Sequence, residues 1–320
     1  MKILYSIKTN REMKFLSIAV LLLMLVSCKY SDVPDNTTIQ NVSVLVQPIE
    51  TDIHYASGQK RHYIVRNNKM HINKLLLFIG GSFSAPKNYR LICDYGATIG
   101  LDVISLSYPN HITAASLKTS KDKFVFDHYR DEICFGNSVS NAVEVDVLNS
   151  INTRTIKLLE YLAKKYPNQN WSQYLTKSST LQWDKIIVSG HSQGSGHASY
   201  LGKKNKVGQV AMFSGPNDYS TFYNAPANWL FQKGETPLKD YYCLLHTKDQ
   251  IVPFDFQKEN LKALGMLAPN QNPTLVDNLS PPYKNAHALS INISAISKHN
   301  STIGRNSILP KIWTYMFTTD

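Results

Sequence analysis

Residues 184–198, DKIIVSGHSQGSGHA, constrain the fold of this chain more than any other stretch. An apolar, β-branched run is followed by the pattern Gly-x-Ser-x-Gly and then by a helix-compatible segment. Strand, sharp turn and helix form the context in which this pattern builds a nucleophile elbow. Gly190 and Gly194 suit so tight a turn, because a side chain at either position would collide with neighbouring backbone. Ser192 is therefore predicted to stand at the turn, above a helix end that favours developing negative charge.

An acid follows this serine along the chain. The run YYCLLH at 241–246 predicts a buried strand, and Asp249 comes just after it, before an apolar turn. A carboxylate there would accept the Nδ1–H of a histidine, hold its tautomer and stabilise the imidazolium. The alternative is that Asp249 caps a helix beginning near Pro253.

Two histidines lie beyond the strand predicted at residues 274–276, and either is a candidate base. His287 adjoins an apolar, alternating run, whereas His299 lies in a polar loop ahead of the C-terminal helix. The polar loop favours His299, and His287 remains the alternative. His191 and His197 are too close to the nucleophile and are expected to shape the elbow. Their six-residue separation is not a metal-ligand spacing on a helix. No metal and no other cofactor is expected.

An oxyanion hole needs two backbone N–H groups. One is expected from Gln193, the residue after the nucleophile, and the other from the loop after an early strand. Residues 75–79, LLLFI, predict that strand, and GGSFS at 80–84 follows it. Gly81 or Ser82 is the expected donor, and the sequence does not choose between them. Loss of one such donor typically costs about 3 kcal/mol of transition-state stabilisation.

Several stretches together resemble one superfamily. They are LLLFIGGSFSAP (75–86), GLDVISLSYPN (100–110), GHSQGSGHA (190–198), VAMFSGPNDY (210–219), HTKDQIVPF (246–254), AHALS, KHNSTI and IWTYMF (312–317). The chain resembles a bacterial α/β-hydrolase and, more narrowly, a group of single-domain serine hydrolases. The resemblance implies a triad in the chain order serine, acid, histidine and supports His299 as the base. The glycine loop departs from the pattern, because Gly-Gly-Ser-Phe stands where such proteins more often have Pro-Gly and a Thr or Ser.

The expected fold is α/β, a single α/β-hydrolase domain whose mostly parallel central sheet is flanked by helices. Antiparallel lead-in strands are predicted at 42–46 and 62–65, and alternating strands and helices follow. Residues 111–143 are predicted to form a long polar excursion, followed by an amphipathic helix over about 146–165. The aromatic segment 216–240 would either line the active site or pack onto the domain.

The N-terminus indicates the cellular compartment. Residues 13–28, MKFLSIAVLLLMLVSC, contain an apolar run too short to span a bilayer, ending in a cysteine. This resembles a bacterial lipobox, which implies a signal peptide over 1–27, with Met13 as a possible true start, and a lipid on Cys28. A tether over 28–41 and a hydrolase domain over 42–320 would follow. The expected location is the bacterial cell envelope, and the alternative is an ordinary secretory signal.

Charge and cysteine content bear on partners. The net charge is +11, and removal of residues 1–27, which carry +3, leaves +8. The basic residues are scattered and form no nucleic-acid motif, so no nucleic-acid partner is expected. The expected partners are a small-molecule or glycan-linked ester substrate and, through the lipid anchor, a membrane. Cys243 is expected to be buried, and Cys93 and Cys134 could pair in an oxidising compartment.

These features predict an envelope-anchored serine hydrolase that cleaves carboxylic esters. Ser192 would attack, His299 would take its proton, Asp249 would support the imidazolium, and an acyl-enzyme would form. One alternative is a peptidase or acyltransferase with the same triad. Another is a non-catalytic binding lipoprotein with a hydrolase fold. An apolar or glycan-like pocket would favour esters, and a charged subsite for a peptide terminus would favour a peptidase.

Overall fold

The structure is a computed structural model that describes residues 40–319. The predicted signal peptide, Cys28 and nearly all of the predicted tether lie outside the described residues. Between residues 40 and 319, no helix is long and apolar enough to cross a membrane.

In this part of the chain a nine-stranded sheet runs in the order β1-β2-β4-β3-β5-β6-β9-β11-β10, and β7 and β8 form a separate hairpin. The strands are β1 (Asn41–Val46), β2 (His62–Asn67), β3 (Leu75–Ile79), β4 (Asp102–Leu106), β5 (Ile186–His191), β6 (Gln209–Phe213), β7 (Tyr219–Ser220), β8 (Ala225–Pro226), β9 (Tyr241–His246), β10 (Thr274–Leu275) and β11 (Ala288–Ile291). The helices are α1 (Pro48–Thr51), α2 (Arg90–Thr98), α3 (Val125–Phe135), α4 (Ile151–Lys165), α5 (Gln193–Lys204), α6 (Asn228–Phe231), α7 (Phe254–Leu264), α8 (Lys298–Ser301) and α9 (Leu309–Thr318).

The pairing of the strands defines the fold. β2 pairs antiparallel with both β1 and β4, and every other pair in the large sheet is parallel. A strand–turn–helix with the serine pattern follows β5 at the centre of the sheet. This is the α/β-hydrolase fold in a single domain, as the sequence predicts.

The hydrophobic core lies on both faces of the sheet. On β3, residues 75, 77 and 79 belong to one buried cluster and residues 76 and 78 to the other, as the two-residue period of a strand requires. Cys134 lies in the first cluster and Cys93 in the second, so the sheet separates them. Both are free and buried, as is Cys243. The pairing of Cys93 with Cys134 that the sequence left open is therefore not formed.

Three predicted elements differ from the structure. The helix predicted from residue 146 begins at Ile151, because the Ser150 side chain accepts the Thr153 N–H as its cap and Val147 is exposed. The excursion contains α3, which the sequence analysis missed. The strand predicted at 274–276 is a two-residue edge strand, and β11, after His287, completes the parallel sheet.

Candidate active site

The turn between β5 and α5 has the geometry of a nucleophile elbow. Ser192 has φ +57° and ψ −123°, a conformation that costs a non-glycine residue about 1–3 kcal/mol. A Cβ on Gly190 would lie 2.2 Å from the Gly194 oxygen, and one on Gly194 would lie 2.0 Å from the Ile79 oxygen. Both glycines are therefore required by close backbone approach. The Ser192 N–H donates to the Phe213 oxygen at 2.8 Å, which fixes the turn to β6.

The acid and the favoured histidine are brought together. His299 Nδ1 lies 2.7 Å from Asp249 Oδ2, and their side chains are 6% and 0% exposed. The other carboxylate oxygen of Asp249 accepts the N–H groups of Ile251 and Val252 at 2.8 and 3.0 Å. Burial alone would raise the pKa of Asp249, but the interactions with His299 and these backbone donors outweigh it and lower that pKa. Asp249 is therefore a carboxylate that orients the imidazole.

The alternative histidine lies elsewhere. His287 stands immediately before β11, at the amino end of the strand, whereas Ser192 and Asp249 follow the carboxyl ends of β5 and β9. Its Nδ1 lies 3.2 Å from the Tyr241 oxygen, and its ring stacks on Tyr242 at 4.4 Å. Since these strands are parallel, His287 lies at the amino ends of the strands and Ser192 lies at their carboxyl ends.

Ser192 and His299 line one cavity of about 850 Å³. Within residues 40–319, no hydrogen bond joins Ser192 Oγ to the imidazole of His299. Instead, Asn217 Nδ2 donates to Ser192 Oγ at 3.4 Å. In structures without substrate, such catalytic hydrogen bonds are often long and tighten only when substrate binds.

Of the two candidate donors in the loop after β3, Gly81 and Ser82, one is already engaged in a hydrogen bond. A Cβ on Gly81 would lie 3.1 Å from Ser192 Cβ, which shows that the loop adjoins the nucleophile. The Gly81 N–H, however, donates to the Tyr89 hydroxyl at 2.6 Å. The N–H groups of Ser82 and Gln193 donate to no acceptor within the described part of the chain. These two N–H groups remain available for an oxyanion.

The side chain of Gln193 holds that loop in place, a role that the sequence analysis missed. Its Oε1 accepts the Ser82 hydroxyl at 2.7 Å and the Ala114 N–H at 3.1 Å. Gln193 thus connects the loop after β3 to the excursion. No short motif signals this, because the partners lie 111 and 79 residues away.

A buried ion pair supports the helix behind the nucleophile, and the sequence analysis missed this also. Arg130, on α3, donates through Nε and Nη2 to the two carboxylate oxygens of Asp218 at 2.9 and 2.5 Å, and both side chains are fully buried. Its Nη1 donates to the Gln193 oxygen at 2.8 Å, and the Trp229 indole donates to Asp218 at 2.8 Å. Burial would lower the pKa of Arg130, but Asp218 raises it, so the guanidinium is charged.

The two histidines nearest Ser192 in the sequence, His191 and His197, are both buried. His197 packs against the rings of Tyr108 and Tyr129 at 5.4 and 5.8 Å. His191 Nε2 lies 3.1 Å from the backbone oxygen of His299. Burial lowers the pKa of both histidines, to about 3 for His191 and well below the ordinary value for His197.

The cavity wall is mainly apolar. One member of the aromatic segment 216–240, Tyr219, lines it and stacks on Phe256 at 4.1 Å with an interplanar angle of 5°. The charged lining residues other than histidine are Lys118 and Arg305, both exposed, and no Asp or Glu of the described chain lines the cavity. Residues 40–319 also contain no group of three His, Cys, Asp or Glu side chains arranged to hold a metal ion.

Comparisons with known proteins add little to this picture. No protein-family profile matches the chain, and no curated protein matches it. Among solved structures, the chain is similar to one titled "Crystal Structure of TT1662 from Thermus thermophilus", with 13% identity and a TM-score of 0.43. The match covers 88% of this chain and 97% of that one. The fold assignment rests on the strand order and the elbow described above.

Proposed function

We propose that this protein is a serine hydrolase that cleaves carboxylic esters with Ser192 as nucleophile, His299 as base and Asp249 as the supporting acid. The observation that carries the proposal is the buried hydrogen bond between His299 and Asp249 at the cavity that also contains the elbow serine. Fold alone would not support an activity, because many functions share one fold.

The proposed reaction follows from these positions. His299 Nε2 removes the hydroxyl proton as Ser192 Oγ attacks the ester carbonyl, and the N–H groups of Ser82 and Gln193 stabilise the oxyanion. The C–O bond to the alcohol then breaks, and His299 donates the proton to the leaving alkoxide. Water deprotonated by His299 then attacks the acyl carbonyl. The bond between the acyl carbon and Ser192 Oγ breaks, His299 returns the proton to Oγ, and the acid is released. Asp249 remains ionised throughout.

The lining favours esters over peptides with a free amino terminus. An α-ammonium group binds most strongly beside a carboxylate, and no Asp or Glu of the described residues lines the cavity, whose charged residues other than histidine, Lys118 and Arg305, are both cationic. Leu91, Ile251 and the stacked pair of Tyr219 and Phe256 offer apolar surface for an acyl or aromatic group.

The experiment that tests the proposal is active-site labelling of the full chain with a fluorophosphonate, followed by assays on short- and long-chain acyl, acetyl-sugar and feruloyl esters. Ser192→Ala should abolish both labelling and hydrolysis. The matched control is Ser189→Ala, because Ser189 is buried in β5, just before the elbow, and its hydroxyl donates to the Ala211 backbone oxygen at 2.9 Å. Labelling of the Ser192→Ala protein at the parent rate would reject the proposed nucleophile.

We also propose that the protein is anchored to the bacterial envelope through a lipid on Cys28, which the lipobox-like sequence supports. Two or more acyl chains hold a protein firmly, because each buried methylene contributes about 0.8 kcal/mol. Cys28→Ser should therefore move the protein from the membrane fraction to the salt-washed supernatant. If the parent protein also washes off in salt, Cys28 carries no lipid.

A further inference from the structure

The backbone oxygen of His299 accepts hydrogen bonds from two side chains, one at the end of β5 and one just after β6. His191 Nε2 lies 3.1 Å from this oxygen, and Ser214 Oγ lies 2.6 Å from it. His191 is the last residue of β5 and precedes Ser192, and Ser214 directly follows β6. Both are buried. The main chain of the histidine is therefore attached to the elbow and to the adjacent strand.

The arrangement at His191 is one that stability alone would not favour. A carbonyl oxygen only accepts hydrogen bonds, so Nε2 must carry the proton and Nδ1 must be an acceptor. That Nδ1 is buried and has no partner within residues 40–319. Leaving a buried polar atom unpaired costs free energy that an apolar ring of similar size would not. The ring lies 4.9 Å from the ring of His299.

Ser214 is also held in an unfavourable state. Its φ is +52°, in the left-handed region that favours glycine. Its N–H donates to the Leu244 oxygen at 3.0 Å, and its hydroxyl contacts Thr302 Oγ1 at 2.8 Å as well as the His299 oxygen. Glycine would adopt this backbone conformation without strain but would lack the hydroxyl. Two locally costly features thus meet at one carbonyl oxygen, and such features cluster at functional sites.

Resting on the triad proposed above, we propose that His191 and Ser214 are positioning residues, which hold the His299 main chain so that its imidazole reaches both Ser192 and Asp249. The hydrogen bond to Asp249 fixes the ring at Nδ1 only. The direction in which His299 Nε2 points relative to Ser192 Oγ depends on the position of the His299 Cα. A shift of about 1 Å in a reacting group can cost about a hundredfold in rate.

The test compares three site variants with one control in the full chain. His191→Phe removes the donor but keeps a ring, His191→Gln restores an N–H at a similar reach, and Ser214→Ala removes the hydroxyl. The control is His62→Phe. His62 lies on β2, is buried like His191, and accepts a hydrogen bond from the Ser107 backbone N–H.

We expect His191→Phe and Ser214→Ala to lower kcat about 10- to 100-fold with KM within about twofold of the parent value. His191→Gln should recover most of the kcat lost by His191→Phe. The far-downfield proton resonance of His299 Nδ1–H should broaden or shift in His191→Phe and Ser214→Ala. His62→Phe should change thermal stability but neither kcat nor that resonance.

The outcomes separate this inference from the proposed function. If the parent protein is labelled at Ser192 and hydrolyses esters, but His191→Phe and Ser214→Ala keep the parent kcat and resonance, the positioning role is wrong and the triad stands. If the parent is not labelled at Ser192, the proposed function itself is wrong. Should His191→Phe not fold, the kcat and resonance of Ser214→Ala decide the question, and a parent-like result for Ser214→Ala overturns the inference.

Discussion

The elbow, residues 190–194, and the base loop, residues 297–305, hold their functional side chains in different ways. At the elbow, contacts between backbone atoms fix Ser192, and there is no room for a Cβ on either glycine. The base loop has few such constraints, and hydrogen bonds from distant parts of the chain hold it instead. They include the bond from the His299 N–H to Gln250 at 3.2 Å and that from the Ser214 hydroxyl to the His299 backbone oxygen at 2.6 Å.

The two halves of the site are held by different kinds of contact. A turn set by sterics tolerates almost no substitution at its glycines, and for Gly194 the obstacle is backbone of β3, at Ile79. A loop set by hydrogen bonds tolerates substitution within itself, yet depends on residues 49 to 108 positions away for its geometry. Four measurements would test this difference.

The largest expected effect is at the long-range contact that supports the base. Asp249→Asn should lower kcat about 10⁴-fold, because an amide stabilises the wrong histidine tautomer and no longer the imidazolium. Steady-state kinetics on any ester that the parent hydrolyses would measure this. Asp255→Asn is the control, since Asp255 is exposed and pairs with Lys258 on α7. A loss of less than tenfold in Asp249→Asn would remove Asp249 from the proposed triad.

The next effect contrasts one glycine from each region. Gly194→Ala should reduce the free energy of unfolding by about 3 kcal/mol or more, because its Cβ would meet backbone atoms that cannot move aside. Gly304→Ala in the base loop should cost less than about 0.5 kcal/mol, since its Cβ would approach no atom closer than 3.4 Å. Urea denaturation would measure both. Equal losses would mean that the two regions are constrained alike.

The third effect concerns pH. His197, on α5, stays neutral in the folded protein because burial, and then Arg130, lower its pKa well below 6.5. The unfolded chain binds a proton there below pH 6.5, so the free energy of unfolding should fall as pH falls below that value. His197→Phe should reduce this slope by about 1.4 kcal/mol per pH unit. Urea denaturation at several pH values below 6.5 would measure the slope, and an unchanged slope in His197→Phe would contradict a neutral, buried His197.

The smallest expected effect is at the oxyanion loop. Tyr89→Phe removes the hydroxyl that accepts the Gly81 N–H and donates to Ser84 at 2.9 Å. We expect kcat to change by less than about threefold, because the donors of Ser82 and Gln193 remain. Tyr95→Phe, which loses a hydroxyl contact to Thr314 on the far helix α9, is the control. A loss near a hundredfold in Tyr89→Phe alone would show that the oxyanion hole needs this hydroxyl.

The same contrast explains how far the sequence could predict the molecule. The elbow, the strand before Asp249 and the alternation of strands and helices follow from local patterns, and the structure contains all three. The polar loop and the family resemblance favour His299 over His287, but the deciding property is the end of the strands that each histidine reaches. The parallel pairing of β11, a four-residue strand, with β9 places His287 at the amino end of the strands.

Other parts of the site had no local signal. Arg130 and Asp218 are 88 residues apart. Arg130 lies on α3, a helix that the polar composition of residues 111–143 did not predict. Whether Gly81 or Ser82 supplies the oxyanion donor depends on the Tyr89 hydroxyl, which reaches the loop from the start of the next helix. These features depend on the tertiary positions of side chains, which cannot be predicted from hydrophobic periodicity or from the spacing of motifs in the sequence.

The Arg130–Asp218 pair also fixes one wall of the cavity. The excursion carries Arg130, and separating Arg130 from Asp218 would leave an unpaired charge in the protein interior at a cost of about 3–5 kcal/mol. Lifting the excursion away from α5 is therefore rare, with an open population below roughly one in a hundred. Thr113, Ala114 and Lys118, which the excursion contributes to the cavity lining, are thus held as one rigid wall. For the ester hydrolysis proposed above, selection among substrates would then rest on how well an acyl or alcohol group fits this wall.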